Sequence, residues 1–329
     1  TQVMSSPPVF IVAAPRSGGQ ALHRLLLQAG YADGALSDPR VFEQDQSAKE
    51  FSHHLRFDQL SDETKKKLTD AKDSLSGTAN YNPRLSLRID AIAKIFPDAK
   101  FVFVTRTPAA AIASGIEAWA SQNFVTESEL PGWWGEQWSF GLIPGWESLI
   151  GKPLGEIATE QFLKTSELAL DALEALEPDR WMGISYEDLI LGGKISGQKL
   201  IDFLDKQLDF STLPMGNAVS APHRDKWRNR LQMVIPALEP KQQALQRVNK
   251  FREALTPAEF YQTEETPKGP QDSKGTAFES SFTSSFVELL KKAQASVAIT
   301  TYKTGQLIFA SETEGKIHTS FEPLPKPMG

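Results

Sequence analysis

The apolar positions of this 329-residue chain fall into short buried-looking runs that alternate with segments of helical period. Val9 to Val12 is an apolar run of strand length, broken by Pro15 and the Gly18-Gly19 pair, where backbone freedom permits a tight loop. Leu22, Leu25, Leu26 and Ala29 then recur at helical spacing until Gly30 stops the helix. The same unit returns further on. Lys100 to Thr105 reads as a strand buried on both faces, ends at Arg106-Thr107-Pro108, and gives way to an alanine-rich helix over Ala109 to Ala120. Trp181 to Tyr186 predicts a third strand, ending at Glu187-Asp188-Leu189. Helices are predicted over Asp62 to Leu75 with Ser61 as N-cap, Pro83 to Phe96, Ile157 to Leu176, Gly197 to Leu208 and Leu238 to Ala254. Such alternation predicts an α/β fold, a three-layer sandwich with a central, mainly parallel sheet flanked by helices.

A strand, a small-residue loop and a helix N-terminus together form a nest of backbone N–H groups backed by a helix dipole, which suits a phosphate. Arg16 adds a fork of donors matched to phosphoryl or sulfuryl oxygens. Arg106 sits at the carboxyl end of the second strand, and two such units on one sheet face a common crevice. Residues 33–58 are acidic and irregular, with Asp38, Glu43, Asp45, His53 and His54 as candidate acceptor-side groups. Lys65 to Lys67 fit a solvated helix face, and His23 fits a structural role inside the first helix. Residues 121–153 carry Trp133, Trp134, Trp138 and Trp146 among glycines and prolines. They read first as an ordered loop packing its own aromatics, and second as a lid or acceptor wall. The basic run Ser220 to Arg230 reads equally as a phosphate-reaching helix start and as an ordinary surface helix.

Charge narrows the partners. The net charge of -6 argues against a general binder of nucleic acid or of anionic membranes. No cysteine is present, which excludes disulfides, thiolate metal sites and thiol nucleophiles. No basic segment leads into a long apolar stretch, and no apolar run approaches membrane-spanning length, so a cytoplasmic protein is expected. The predicted organisation is an α/β domain over 1–263, a linker over 264–281 of altered composition, and a helix with a β-hairpin over 282–329, turning at Lys303-Thr304-Gly305. Two strands are marginal alone, so the tail is expected either to open an all-β module or to extend the main sheet's edge.

The first loop lacks the lysine and hydroxyl of a Walker A motif, since Gly19 and Gln20 follow Gly18, and it lacks the glycine spacing of a dinucleotide fingerprint. Pro15-Arg16-Ser17-Gly18 after Phe10-Ile11-Val12 resembles the 5′-phosphosulfate loop of sulfotransferases that use PAPS, 3′-phosphoadenosine 5′-phosphosulfate. Arg106, with Ser114 eight residues on, is similar to the family's 3′-phosphate motif, and Phe96 to Phe101 to its usual lead-in. Trp181 to Leu189 resembles the strand ending in Tyr-Glu-Asp-Leu, and Ser220 to Arg230 the Lys-Trp-Arg segment that helps close over the nucleotide. Leu130 to Trp133 and Ile143 to Trp146 look like a bacterial branch.

The resemblance implies a P-loop-like fold over about residues 8–255 and metal-independent, in-line sulfuryl transfer from PAPS to a hydroxyl or amine acceptor, with PAP as product. It places PAPS against Arg16, Ser17, Gly18, Gly19, Gln20 and Ala21 at one end, and against Arg106, Ser114 and Tyr186 at the other. Arg224, Lys226, Trp227 and Arg228 would complete the closure. It implies a carboxylate or histidine as general base, with Glu43 first and Asp38 and His53 as runners-up. Gly19 and Gln20 stand where the family commonly has hydroxyl residues, and Tyr81 stands where it often has a lysine. A nucleotide-binding or scaffold module of weakened activity is therefore an alternative, and a divergent P-loop kinase a third. Ile299 to Ile308 and the closing Pro325 to Gly329 resemble the opening of a β-propeller domain of the DUF4915 type, which implies a piece of a longer protein with a propeller in cis.

Overall fold

β1 (Val9–Ala13) is buried along its whole length, and its alternate side chains feed two separate cores. The computed structural model describes residues 6–42, 45, 51–213, 226–256, 284–293, 296–301, 306–313 and 316–323. After β1 come α1 (Gly19–Gln28), β2 (Ala32–Asp33), α2 (Asp62–Asp70), β3 (Thr78–Asn80), α3 (Ile89–Ile95), β4 (Lys100–Thr105) and α4 (Pro108–Ser121). The chain continues through β5 (Val125–Glu127), β6 (Trp138–Ser139), α5 (Leu154–Glu174), β7 (Trp181–Ser185), α6 (Tyr186–Ile190) and α7 (Gly197–Leu204). Then follow α8 (Leu231–Leu238), α9 (Gln242–Leu255), α10 (Ser284–Ala293), β8 (Ser296–Thr301), β9 (Gln306–Thr313) and β10 (Lys316–Pro323).

The main sheet has five strands in the order β2-β3-β1-β4-β7, all parallel. Phe10 and Val12 of β1, with Phe101 and Phe103 of β4, face α3, α4, α5, α8 and α9. Val9, Ile11 and Ala13, with Val102, Val104 and Ile184, face α1, α6 and α7. The period of two along each strand thus divides the apolar set between two helical layers, as a parallel sheet covered on both sides requires. β1 pairs with β3 on one side and with β4 on the other, which makes the β1–β4 boundary the switch point where a crevice opens at the carboxyl ends. Register aligns Ala13 with Val104 and Thr105 with Ser185, so the loops after β1, β4 and β7 emerge together. That alignment positions the site.

Several predicted boundaries shift for physical reasons. The helix expected over Pro83 to Phe96 is a 3-10 segment, Pro83–Leu87, followed by α3. The break falls at Arg88, fully buried, whose Nε donates to the His53 carbonyl at 3.2 Å and whose guanidinium lies 4.4 Å from the Phe42 ring. α2 stops at Asp70 and α7 at Leu204, short of the predicted ends, while Ser61 caps α2 by accepting from the Thr64 N–H. β2 and β3 carry no apolar run. Asn80 holds them from the side chain, its Oδ1 accepting from the Leu36 N–H at 3.2 Å and its Nδ2 donating to Thr78 Oγ1 at 2.9 Å. The linker 264–281 and the turn at 303–305 lie outside the described residues.

The tail strands do not join the main sheet. β8 and β9 pair antiparallel as predicted, and β10 adds an unpredicted third strand in the order β10-β9-β8. No helix among the described residues is long and apolar enough to cross a membrane.

Phe10 stacks on Phe96 and Phe101 at ring-centroid distances of 6.0 and 5.6 Å in the larger core. Phe10→Ala is expected to lower unfolding free energy in urea by about 3–5 kcal/mol; a loss below about 1 kcal/mol would contradict this packing.

Candidate functional site

The end of β1 is fixed from outside: Ser86 Oγ accepts from the Ala13 N–H at 2.9 Å and donates to the Ala13 carbonyl at 3.0 Å. The chain then turns, with the Ser17 N–H bonded to the Ala14 carbonyl at 3.1 Å. Arg16 takes the left-handed region at φ 62, a conformation that costs a non-glycine residue energy and marks functional loops. Gly18 follows at φ 103 as the N-cap of α1. The first intrahelical bonds run from the Ala21 and Leu22 N–H groups to the Gly18 carbonyl. The Gly19 and Gln20 N–H groups thus find no protein acceptor among the described residues, as a helix start dictates. Ser17 Oγ is buried and likewise lacks a partner among the described residues.

Two aromatic rings press on this loop. A Cβ at Gly18 would lie 2.3 Å from Tyr186 Cδ2, and one at Gly19 would lie 2.3 Å from Tyr81 Cε2. Close approach favours glycine at both positions, and at Gly18 the backbone angle does so as well.

Arg16 reaches sideways. Its Nε donates to Ser114 Oγ at 3.0 Å, and its guanidinium lies 5.3 Å from the Phe124 ring. Arg106 Nη1 donates to the Arg16 carbonyl at 2.9 Å, and its guanidinium sits 4.7 Å over Tyr186. Burial presses the Arg106 guanidinium below its usual range and Arg16 adds repulsion, while Tyr186 and Glu187 oppose both. The loops after β4 and β7 are tied by Glu187 Oε1, which accepts from the Thr107 N–H at 2.9 Å and from its hydroxyl at 2.7 Å. Around these groups lies a cleft of about 270 Å³. It is lined by Arg16, Gly18 to Ala21, Tyr81, Pro83, Arg106, Phe124, Phe140 and Tyr186. Two cations, a helix start with uncommitted N–H groups and aromatic faces are groups suited to anions and to flat rings.

The structure therefore brings Arg16, Gly18, Gly19, Gln20, Ala21, Arg106, Ser114 and Tyr186 together. The basic segment is only partly described. Arg224 and the Lys226 side chain lie outside the described residues. Trp227 packs against the larger core, and Arg228 lies 5.5 Å over its ring. The next turn is anchored by Arg230 Nε, which donates to Glu117 Oε1 of α4 at 3.3 Å.

The base candidates separate. Glu43 lies outside the described residues. Asp38 sits at the surface in the fork of Arg40, whose hydrogen bonds hold its carboxyl below the usual carboxylate range and so weaken it as a proton acceptor. His53 is fully buried and both ring nitrogens are committed: Nδ1 accepts from the Leu142 N–H at 2.6 Å, and Nε2 meets Glu127 Oε1 at 2.8 Å. As a general base it is corrected to a structural residue, because neither nitrogen can reach an acceptor. His23 is structural as expected, with Nε2 3.2 Å from both the Ala79 carbonyl and Asp33 Oδ1.

The tryptophan-rich stretch follows its first reading, since Trp133, Trp138 and Trp146 interlock edge to face. Part of it also reaches the cleft, through Phe124 and Phe140. These two, with Thr107, Pro83 and Glu187, escaped sequence reasoning. For Thr107 and Glu187 the signal existed, since each directly flanks a residue already singled out.

Comparison with known proteins brings out one family. The profile described as "Sulfotransferase family" matches residues 28–209, more than half of the chain, including Arg106, Ser114 and Tyr186. No curated protein matches. Among solved structures, the sulfotransferase domain from the curacin biosynthetic pathway is 17% identical, covering 74% of this chain and 98% of that one, with a TM-score of 0.43. A sulfotransferase from Mycobacterium tuberculosis is 16% identical over 74% of this chain and 77% of that one, at a TM-score of 0.41. The sulfotransferase domain of the Synechococcus olefin synthase is 15% identical over 72% and 94%, at a TM-score of 0.38.

Burial drives the His53 pKa down to about 4, whereas an unfolded histidine titrates near 6.5. Above pH 6.5 the imidazole is neutral in both states. As the pH falls the unfolded chain binds a proton that the folded one refuses, so stability drops, by about 2 kcal/mol at pH 5. Urea unfolding between pH 7 and 5 should show this slope, and His53→Gln should lack it; an equal slope in both proteins would refute the assignment.

Proposed function

This chain belongs to the sulfotransferase family, and from that premise we propose that its cleft takes PAPS and that the protein moves the sulfuryl group to a hydroxyl or amine acceptor by in-line displacement. The observation that carries this reading is the cluster of Arg16, Arg106 and Ser114 at the open start of α1. An orphaned buried hydroxyl at Ser17, uncommitted N–H groups at Gly19 and Gln20, and two adjacent cations fit a nucleotide with anionic groups at both ends.

PAPS, when bound, supplies a sulfuryl group on a phosphate leaving group. The Gly19 and Gln20 N–H groups and the α1 dipole would hold the 5′-phosphate, and Arg16 would stabilise charge growing on the leaving oxygen. Ser114 accepts from Arg16, which leaves its own O–H proton to donate to the 3′-phosphate beside Arg106. Tyr186 would position Arg106 through its ring, and Trp227 and Arg228, with Arg224 and Lys226, would cover the nucleotide. Glu43 remains our candidate to take the acceptor's proton, since Asp38 is committed to Arg40. Binding without turnover is a second reading, favoured by the absence of side-chain hydroxyls at Gly19 and Gln20. We read the protein as cytoplasmic and its C-terminal meander as the beginning of a propeller module in cis.

Calorimetry with PAP tests the donor. Arg106→Ala and Ser114→Ala should each weaken PAP about tenfold or more, with little effect on 5′-AMP. Equal affinity of the native protein for PAP and 5′-AMP would defeat the assignment. Transfer of labelled sulfate from PAPS, lost in Arg16→Ala, separates catalysis from binding; tight PAP binding with no transfer across a broad acceptor panel would favour the second reading.

A further inference from the structure

Tyr81 follows directly on β3, and its ring lies across the first turn of α1. A Cβ at Gly19 would stand 2.3 Å from Tyr81 Cε2 and 2.9 Å from its hydroxyl oxygen, so that oxygen hangs over the start of the helix. The ring is held there from behind. The Tyr81 N–H donates to Ser37 Oγ at 3.2 Å, and the ring meets His23 at a centroid distance of 6.1 Å. Its hydroxyl has no hydrogen-bond partner among the described residues, yet the side chain lines the cleft that contains Arg16 and Arg106. Burial pushes the Tyr81 phenol up to about 12, against a smaller opposing pull from Arg16. The group therefore carries its proton throughout the physiological range and acts as a donor, never as an anion. Position 19 has no side chain, and any side chain there would expel the ring.

We propose that Tyr81 is a nucleotide-binding residue whose hydroxyl donates to an oxygen at the 5′ end of the bound donor, with Gly19 kept bare to admit it. The proposal rests on the PAPS reading above. A polar donor delivered from the neighbouring strand takes the place that a side chain of the loop itself would occupy, and it arrives on a rigid ring that loses little entropy on binding.

Calorimetry on the full chain tests this with two probes, PAP and adenosine 3′-monophosphate, which lacks the 5′ group. Tyr81→Phe keeps the ring and should weaken PAP about tenfold while leaving adenosine 3′-monophosphate unchanged. Gly19→Ala, which displaces the ring, should reproduce that selective loss. Unaltered PAP affinity in Tyr81→Phe, or an equal loss for both probes, overturns the role of the hydroxyl while leaving the donor reading intact. Failure of the native protein to bind PAP at all overturns the donor reading and this proposal together.

Discussion

Arg106 brings a guanidinium to the carboxyl end of the sheet beside Arg16, and the geometry of the cleft follows from how its desolvation is offset. Arg106 is half-buried, where its charge is partly desolvated, and Arg16 adds a smaller repulsion. The structure offsets this with the Tyr186 ring beneath Arg106, the Phe124 ring beneath Arg16, and Glu187 nearby. It also couples the pair, since Arg106 donates to the Arg16 carbonyl while Arg16 stands in the left-handed region. That strained turn aims the Arg16 side chain at Ser114 on α4 instead of at the neighbouring helix start. Groups that would serve the two ends of a nucleotide are thereby in contact before it arrives. An anion bound beside both cations would be favoured by their combined field.

Everything behind the cleft serves to hold these groups still. Glu187 ties the loop after β4 to the loop after β7 through Thr107. The neighbouring Asp188 is fully buried and accepts from the Ile195 and Ser196 N–H groups at 2.9 and 2.7 Å, fixing the turn that leads into α7. On the other side, His53 and Glu127 lock the segment that presents Phe124. Asp188 and His53 are buried and paired, so each is worth more as a geometric constraint than as stability.

The fold was largely legible because its strands obey simple rules. β1, β4 and β7 are near-continuous apolar runs, and each ends at a residue of evident chemistry. β2 and β3 were not legible, being two or three residues long and held by Asn80 rather than by apolar period. Arg88 broke a helix that periodicity ran straight through, because its burial depends on Phe42 and the His53 carbonyl, distant in sequence. At the site, Arg16 and Arg106 were legible as cations at the ends of strands, whereas Ser114 and Tyr186 came only through the family resemblance. Their mutual contacts, and the roles of Phe124, Phe140 and Tyr81 as lining, needed three dimensions. His53 looked like a base because a histidine in an acidic stretch invites that reading; its two partners, Leu142 and Glu127, lie 89 and 74 residues away.

On the proposed reading one cleft, at the β1–β4 switch point, would take both ends of the sulfuryl donor's nucleotide. A crystal structure of the protein with PAP tests it most directly. The 5′-phosphate is expected at the start of α1, within hydrogen-bond reach of the Gly19 and Gln20 N–H groups, and the 3′-phosphate against Arg106 and Ser114. PAP bound elsewhere, or with its 3′-phosphate in solvent and Arg16 still on Ser114, would contradict it.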